Sequence, residues 1–150
     1  MIHSFILKRQ PKSYNKWKRN SEKGQDYLNY IRRTFNEFYE NFEKKSGELY
    51  GIAYYFYNKN TGTDADNISK PIWDSLSDFL FEDDKQIKLR IAGIFDLGEK
   101  DFEVLDVSGV PGKVVAELVD AVEKEEHIVY VECGTMSDSL YKFNIQENGN

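Results

Sequence analysis

The sequence predicts an α/β (α+β) fold, a single domain in which helices pack on a small mixed β-sheet. Three observations predict it. Tyr27, Ile31, Phe35, Phe38 and Phe42 recur at three- and four-residue steps, the period of a helix with one buried face. Leu49 to Tyr57 is dense in Tyr, Ile and Phe, and Gln86 to Phe95 alternates between apolar and polar side chains, both marks of strands. Such segments follow one another as β-α-β-α-β-(β)-α-β along 150 residues, a length that one core can organise.

Taken in order, Ile2 to Leu7 is expected as a short strand, followed by a polar, basic loop from Lys8 to Asn20. The first helix is expected from Ser21 to Lys45, ended by Ser46-Gly47. In the strand Leu49 to Tyr57 both faces carry aromatics, which predicts a central strand covered on both sides. The second helix is expected from Asn67 to Leu80, burying Ile68, Ile72, Trp73, Leu76, Phe79 and Leu80. Pro71 then falls early in it, where backbone donors lack intrahelical partners. In the third strand Ile87, Leu89 and Ile91 share one face, and Gln86, Lys88 and Arg90 the other. Phe102 to Val107 is a further candidate strand. Pro111-Gly112 opens a helix carrying Val114, Val115, Leu118, Val119 and Val122, Ile128 to Cys133 closes the sheet, and residues 146–150 read as a frayed tail. No repeat, linker or second domain is evident.

Composition narrows the function classes. At 40% hydrophobic and 15% aromatic residues the chain is expected to fold. It contains no apolar run near the roughly 20 residues of a membrane span, and its first residues lack the basic and apolar regions of a secretion signal. One cysteine, Cys133, excludes an intramolecular disulfide and a Cys cluster for zinc. It suits a reducing, cytoplasmic setting and reads as a small buried hydrophobe in a strand. The net charge of -6 is unevenly spread. Residues 1–35 hold nine Lys or Arg against Glu22 and Asp26, and the remainder is acidic. A basic arm on an acidic body can hold DNA, since phosphates respond to local potential. Lys8, Arg9, Lys12, Lys16, Lys18, Arg19 and Lys23 are equally readable as a solvated segment.

The informative segment is Asp64-Ala65-Asp66-Asn67-Ile68-Ser69-Lys70-Pro71. Two acids at i and i+2, where strand gives way to helix, can project to one side. Lys70 lies four residues after Asp66 on the helix face opposite the apolar stripe. Asp84 precedes the third strand, so the second helix is a return connection between the acidic positions; if the two strands are neighbours, the three carboxylates can converge at one end of the sheet. Like charges about 4 Å apart repel by roughly 4 kcal/mol at an effective dielectric near 20, so such a cluster calls for a cation. Hard carboxylate oxygens prefer Mg²⁺ or Mn²⁺ to zinc, and that chemistry suits phosphodiester hydrolysis. His3 and His127, the only two histidines, lie far along the chain from the motif, which leaves a Ser-His-Asp or Cys-His mechanism little support. Read separately, Asp66 can be a helix N-cap, Thr63-Asp64 turn chemistry and Glu82-Asp83-Asp84 a solvated turn.

Together these segments resemble the RusA family of Holliday junction resolvases, whose signature is D-x-D-N-x-x-K, often followed by P-x-x-D-x-L and then D-D-x-Q-[IV]. The chain has Asp64-Ala65-Asp66-Asn67-Ile68-Ser69-Lys70, Pro71 to Leu76 with Asp74, and Asp83-Asp84-Lys85-Gln86-Ile87. Pro11-Lys12-Ser13-Tyr14-Asn15 is similar to the family's P-P-S-x-N loop and Gly24-Gln25-Asp26-Tyr27 to its G-Q-x-Y helix start. The resemblance covers about residues 1–96, with Ile128 to Cys133 similar to the closing strand. It implies a RusA-like domain and a homodimeric, Mg²⁺-dependent endonuclease of bacterial or prophage origin that makes paired nicks in branched, four-way DNA. The metal-binding acids carry over onto Asp64, Asp66 and Asp84, and the essential lysine onto Lys70. Asn67, Asp74, Asp83 and Gln86 match supporting positions, and Lys12, Asn15, Lys16, Lys18 and Arg19 are the expected DNA contacts. Lys12 replaces the loop's second proline, Ala92-Gly93-Ile94 stand where the third strand often carries a basic residue, and an acidic addition occupies about residues 98–126. Trp17, Tyr55 and Tyr57 flank the expected DNA surface and can stack on bases or serve as packing. The alternative reading is a catalytically silent DNA-binding or protein-interaction module of the same fold.

Overall fold

The structure, a computed structural model, describes residues 2–12, 20–58, 65–98 and 108–140. Its elements are β1 (His3–Leu7), α1 (Glu22–Phe38), β2 (Leu49–Tyr57), α2 (Ala65–Leu76), β3 (Ile87–Asp96), α3 (Gly112–Lys124) and β4 (His127–Thr135), with single 3-10 turns at Asp84–Gln86 and Asp138–Leu140. The four strands form one mixed sheet in the order β1-β4-β2-β3. β4 is antiparallel to both β1 and β2, whereas β3 runs parallel to β2. Parallel neighbours need a crossover, and α2 supplies it. The fold is therefore the mixed α+β domain that the order of segments predicts. Among the described residues no helix is long and apolar enough to cross a membrane.

One face of the sheet carries Leu49, Gly51, Ala53 and Tyr55 of β2, all buried, the last three in register with Cys133, Val131 and Val129 of β4. α1 sets Phe35 against Phe5 of β1, ring centroids 5.4 Å apart, and α2 sets Trp73 on Gly51. A Cβ at Gly51 would stand 2.5 Å from the Trp73 ring, so the indole is seated on bare backbone. On the other face α3 packs on β1 and β4 and buries Val114, Leu118 and Ala121. Ile6 and Ile128, in register with Tyr130 and Phe56 on that face, are buried too. β2 is thus central, as expected, but Ile52, Tyr54 and Phe56 on its second face are only half-buried. Cys133 is buried in β4, as its residue type suggests.

Several boundaries differ from the expected ones. α1 starts at the Ser21 N-cap, whose side chain accepts from the Gly24 N–H at 3.1 Å, but it stops at Phe38 rather than Lys45. Tyr39 turns extended, and its hydroxyl takes the Ser4 N–H and donates to the Ser4 carbonyl, both at 2.9 Å. With Tyr30, whose hydroxyl takes the Lys8 N–H at 2.8 Å, it blunts the outer edge of β1. Phe42 still packs on Phe35 and Phe79, but from a loop. Its helical spacing was a coincidence of tertiary packing.

α2 begins at Ala65 and ends at Leu76, so Pro71 is its seventh residue and lies inside it, not in its first turn. There proline has no N–H to donate to the preceding turn of the helix. Arg32 ends the helix from outside: Nε donates to Ser75 O at 2.8 Å and Nη2 to Ser77 O at 3.0 Å, covering carbonyls that have no helical partner. Asp78 then takes a left-handed conformation (φ 56°) that carries the chain to Phe79 and Leu80. Gln86 belongs to a 3-10 turn rather than to β3, and Ile87, Leu89 and Ile91 do not share one face. A register shift at Leu49/Tyr50 leaves Ile87 beside Leu49 but sets Leu89 and Ile91 beside Tyr50 and Ile52 on the second face, where Ile91 is exposed. Val119 of α3 faces solvent. Phe102 to Val107 and residues 146–150 lie outside the described residues.

The Trp73–Gly51 seat yields a direct test. Gly51→Ala forces a methyl into the indole and backbone, and overpacking of this kind costs about 1–3 kcal/mol. Urea denaturation should show the midpoint falling with an unchanged slope, whereas Gly109→Ala, whose Cβ meets nothing within 4 Å, should leave it in place.

Candidate functional site

The turn before β3 explains much of the Asp83-Asp84-x-Gln86 pattern. The Asp83 carboxylate accepts from the Lys85 N–H at 2.9 Å, and Gln86 Oε1 accepts from the N–H groups of Glu82 and Asp83 at 3.0 and 3.1 Å. This is a capping box, in which the two side chains satisfy each other's backbone donors. Gln86 Nε2 also donates to the carbonyls of Lys45 and Gly47 at 3.2 and 3.0 Å, tying the loop before β2 to the turn before β3. Asp83 and Gln86 are therefore engaged in shaping the turn.

Asp84 is engaged differently. Its Oδ2 lies 3.2 Å from Nη2 of Arg90, which also donates to the Asp84 carbonyl at 3.2 Å. Both side chains are about one-third exposed. Arg90 is in register with Gly51, on which Trp73 sits, so it draws the Asp84 carboxylate toward the last third of α2.

The other half of the motif opens α2. The backbone of Asp66 lies in its first turn, seven residues before Trp73, or about 10 Å along the axis at 1.5 Å per residue. β2 and β3 are neighbours, but parallel pairing places the start of β3 beside the start of β2. α2 therefore runs between the two acid positions, and strand adjacency alone does not bring them to one end of the sheet. Lys70 is 62% exposed and opposite the buried Ile68 and Ile72, and its Nζ lies 3.4 Å from Asp74 Oδ2 one turn on. Asn67 is half-buried. Asp64 and the side chain of Asp66 lie outside the described residues, as do Asn15, Lys16, Trp17, Lys18 and Arg19.

Among the described residues no three carboxylates, imidazoles or thiols surround a common point. The chemistry of Asp84 fits a divalent cation: it is a hard, partly accessible oxygen donor whose charge is now balanced by a guanidinium. At the base of the basic arm, Lys12 is half-buried, Lys8 pairs with Glu117 at 3.2 Å, and Arg9 pairs with Asp26 at 3.4 Å while lying 4.0 Å over the Tyr30 ring. Tyr55 is buried, its hydroxyl 2.8 Å from His127 Nδ1, and serves the core rather than a stacking surface. Tyr57, half-buried, rests its ring 5.3 Å from that of Tyr55.

Compared with protein-family models and with curated proteins, the chain matches none.

The motif reading missed two things. The hold of Arg90 on Asp84 joins residues that strand alternation does not link. The other lies at the opposite sheet edge, where His3 is buried and in register with Cys133. Burial, and then the charge of Lys45, push the His3 pKa down from 6.5 to about 4. Burial likewise lowers the pKa of Lys45 and raises the Cys133 thiol to about 12.

For His3 the unfolded chain takes up the proton first as pH falls, so its contribution to stability is complete above 6.5 and is lost between 6.5 and about 4. A shift of that size corresponds to at most about 3 kcal/mol. Denaturation midpoints followed across this window should fall in wild type and fall less in His3→Gln. Equal slopes would mean that the imidazole titrates normally.

Proposed function

We infer that the chain is a magnesium-dependent, structure-selective endodeoxyribonuclease that resolves four-way DNA junctions by paired nicks. One observation carries this reading. Asp64-x-Asp66-Asn67-x-x-Lys70 opens α2, Asp84 follows it, and Asp83 and Gln86 between them account for the turn that presents Asp84. This ordered set is what resembles the RusA family.

In this reading Asp64, Asp66 and Asp84 hold Mg²⁺, or Mn²⁺, through carboxylate oxygens. The bound ion supplies water activation and neutralisation of charge on the scissile phosphate. Lys70 cannot be a ligand. Its exposed ammonium, steadied by Asp74, is suited to the charge that grows on the phosphate during displacement. Asn67 supports the opening turn of α2. The segment from Lys12 through Asn15, Lys16, Lys18 and Arg19 supplies cations for backbone phosphates. A two-fold dimer provides two matched sites for the two strands to be cut. The rival reading, a silent DNA-binding module, draws on Arg90, which balances Asp84 without any metal.

Cleavage decides between them. A labelled synthetic four-way junction should be nicked in the presence of Mg²⁺ and left intact in EDTA. Asp66→Asn and Asp84→Asn should bind the junction without cutting it. Lys70→Ala should bind normally while its single-turnover rate drops about a hundredfold, the effect of losing roughly 3 kcal/mol in the transition state. Light scattering should report about twice the 17.6 kDa of one chain. A wild-type protein that binds junctions but never cuts them would establish the silent module.

A further inference from the structure

A cavity of about 370 Å³ lies against the outer edge of β1, between α1 and α3, and Ile6 is part of its lining. In an antiparallel strand alternate residues turn their N–H and C=O groups to the same side. Ser4 turns both groups outward, where the Tyr39 hydroxyl meets them, and Lys8 turns its N–H outward to the Tyr30 hydroxyl. Ile6, midway between, turns its N–H and carbonyl outward as well. It is 1% exposed, and among the described residues neither outward group has a hydrogen-bond partner. A buried peptide edge left unpaired in both donor and acceptor is costly and uncommon.

Five charged side chains, all exposed, line the walls. On the α3 side both are engaged: Lys113 donates to the Phe38 carbonyl, and Glu117 pairs with Lys8 at 3.2 Å. On the α1 side neither Arg33 nor Glu37 has an ion-pair or hydrogen-bond partner among the described residues, and Arg33 only faces the Tyr30 ring at 6.0 Å. α1 runs antiparallel to β1, with Tyr30 beside Lys8 and Tyr39 beside Ser4. Arg33 therefore stands toward Leu7, and Glu37 toward Phe5.

We propose that this edge receives an extended segment of another protein, in which one residue pairs with Ile6, the acidic residue before it meets Arg33 and the basic residue after it meets Glu37. The central residue donates its N–H to the Ile6 carbonyl and accepts from the Ile6 N–H, the two-bond pairing of an antiparallel strand. Its neighbours then project to the face of Phe5 and Leu7, which is the α1 side. The antiparallel direction sets the earlier residue beside Leu7, hence beside Arg33. The spacing agrees, since two residues along a strand cover about 6.6 Å and four along a helix about 6 Å. Tyr30 and Tyr39 confine the pairing to that one residue. A second copy of the chain is the poorer occupant. An acid-x-base triplet occurs in the sequence only at Glu43-Lys44-Lys45 and Asp83-Asp84-Lys85. Both are held by bonds of their own, the Lys45 N–H to Leu80 and the Lys85 N–H to Asp83.

The test titrates acetyl-Ser-Glu-Ala-Lys-Ser-amide to millimolar concentration into the full chain, without metal or DNA, so its failure leaves the nuclease reading standing. The Ile6 amide is followed by NMR and should shift. The same peptide N-methylated at its alanine lacks the donor for the Ile6 carbonyl and should bind about tenfold or more weakly. The reversed sequence, acetyl-Ser-Lys-Ala-Glu-Ser-amide, should lose about fivefold or more, as should the double variant Arg33→Gln, Glu37→Gln with the original peptide. Should the double variant fail to fold, the three peptides on the wild-type chain still decide. An Ile6 amide that stays in place, or that moves equally with the N-methylated peptide, overturns the proposal, as does equal affinity for the reversed sequence. An Ile6 signal that moves with protein concentration in the absence of peptide makes a second copy the occupant and overturns it too.

Discussion

Parallel pairing of β2 with β3 is the constraint from which the arrangement of the candidate site follows. Two parallel strands cannot be joined by a tight turn, so the chain must travel back along the sheet, and α2 is that return. The return must lie close, because β2 offers a glycine where the helix offers a tryptophan: Trp73 rests on the backbone of Gly51 and fixes the height of α2 over the sheet. The acid motif inherits its layout from this. Its first acids precede the helix or begin it, its last acid follows, and Lys70 stands between them on the outer surface. The backbone positions of Asp66 and Asp84 thus flank opposite ends of α2, with Arg90 drawing Asp84 along the sheet from the far end.

The end of α2 nearest Asp84 is fastened by side chains that a motif comparison would call polar surface. Arg32 reaches across from α1 to the carbonyls of Ser75 and Ser77, and its guanidinium lies 5.2 Å over the Phe79 ring. Gln86 joins two loops through four hydrogen bonds, two accepted and two donated. Lys44 bridges to Asp78, whose left-handed backbone would otherwise be a poor way to leave a helix. Each bond alone contributes about 1 kcal/mol. Together they give the turn that carries Asp84 one conformation, which matters more to a site than their summed energy does.

What was legible in the sequence was set by period. Runs of apolar and aromatic residues, with alternation in β3, found the four described strands, and the three-to-four step found the three helices, because those patterns are imposed by the core itself. What was illegible came from contacts distant in sequence. Nothing local shows that Tyr39 will leave α1 to bond Ser4, so Phe42 looked helical when it is a loop residue resting on Phe79. Pro71 looked closer to the start of α2 than it is because the helix was expected from Asn67 and begins at Ala65, which carries no apolar signal. Within the motif, the D-x-x-Q spacing of Asp83 and Gln86 could have been read as a capping box beforehand. The Asp84–Arg90 pair could not, since it depends on how a turn folds back on a strand.

Two cations of the motif region are already held by acids, Lys70 by Asp74 and Arg90 by Asp84. Read as stability, these pairs contribute little, because exposed ion pairs contribute about 0–1 kcal/mol once solvent and side-chain entropy are counted. That weakness makes them suitable at a binding surface. A cation tethered by a weak pair stays near its working position, and a phosphate or a metal ion can exchange with its partner at small cost. A buried pair behaves oppositely, since removing one member leaves a charge without water. Lys70, 62% exposed, can turn from Asp74 to a phosphate without unfolding anything, and Arg90 can release Asp84 in the same way. In the nuclease reading, the acids beside Lys70 and Arg90 would poise these cations for phosphate rather than cancel them.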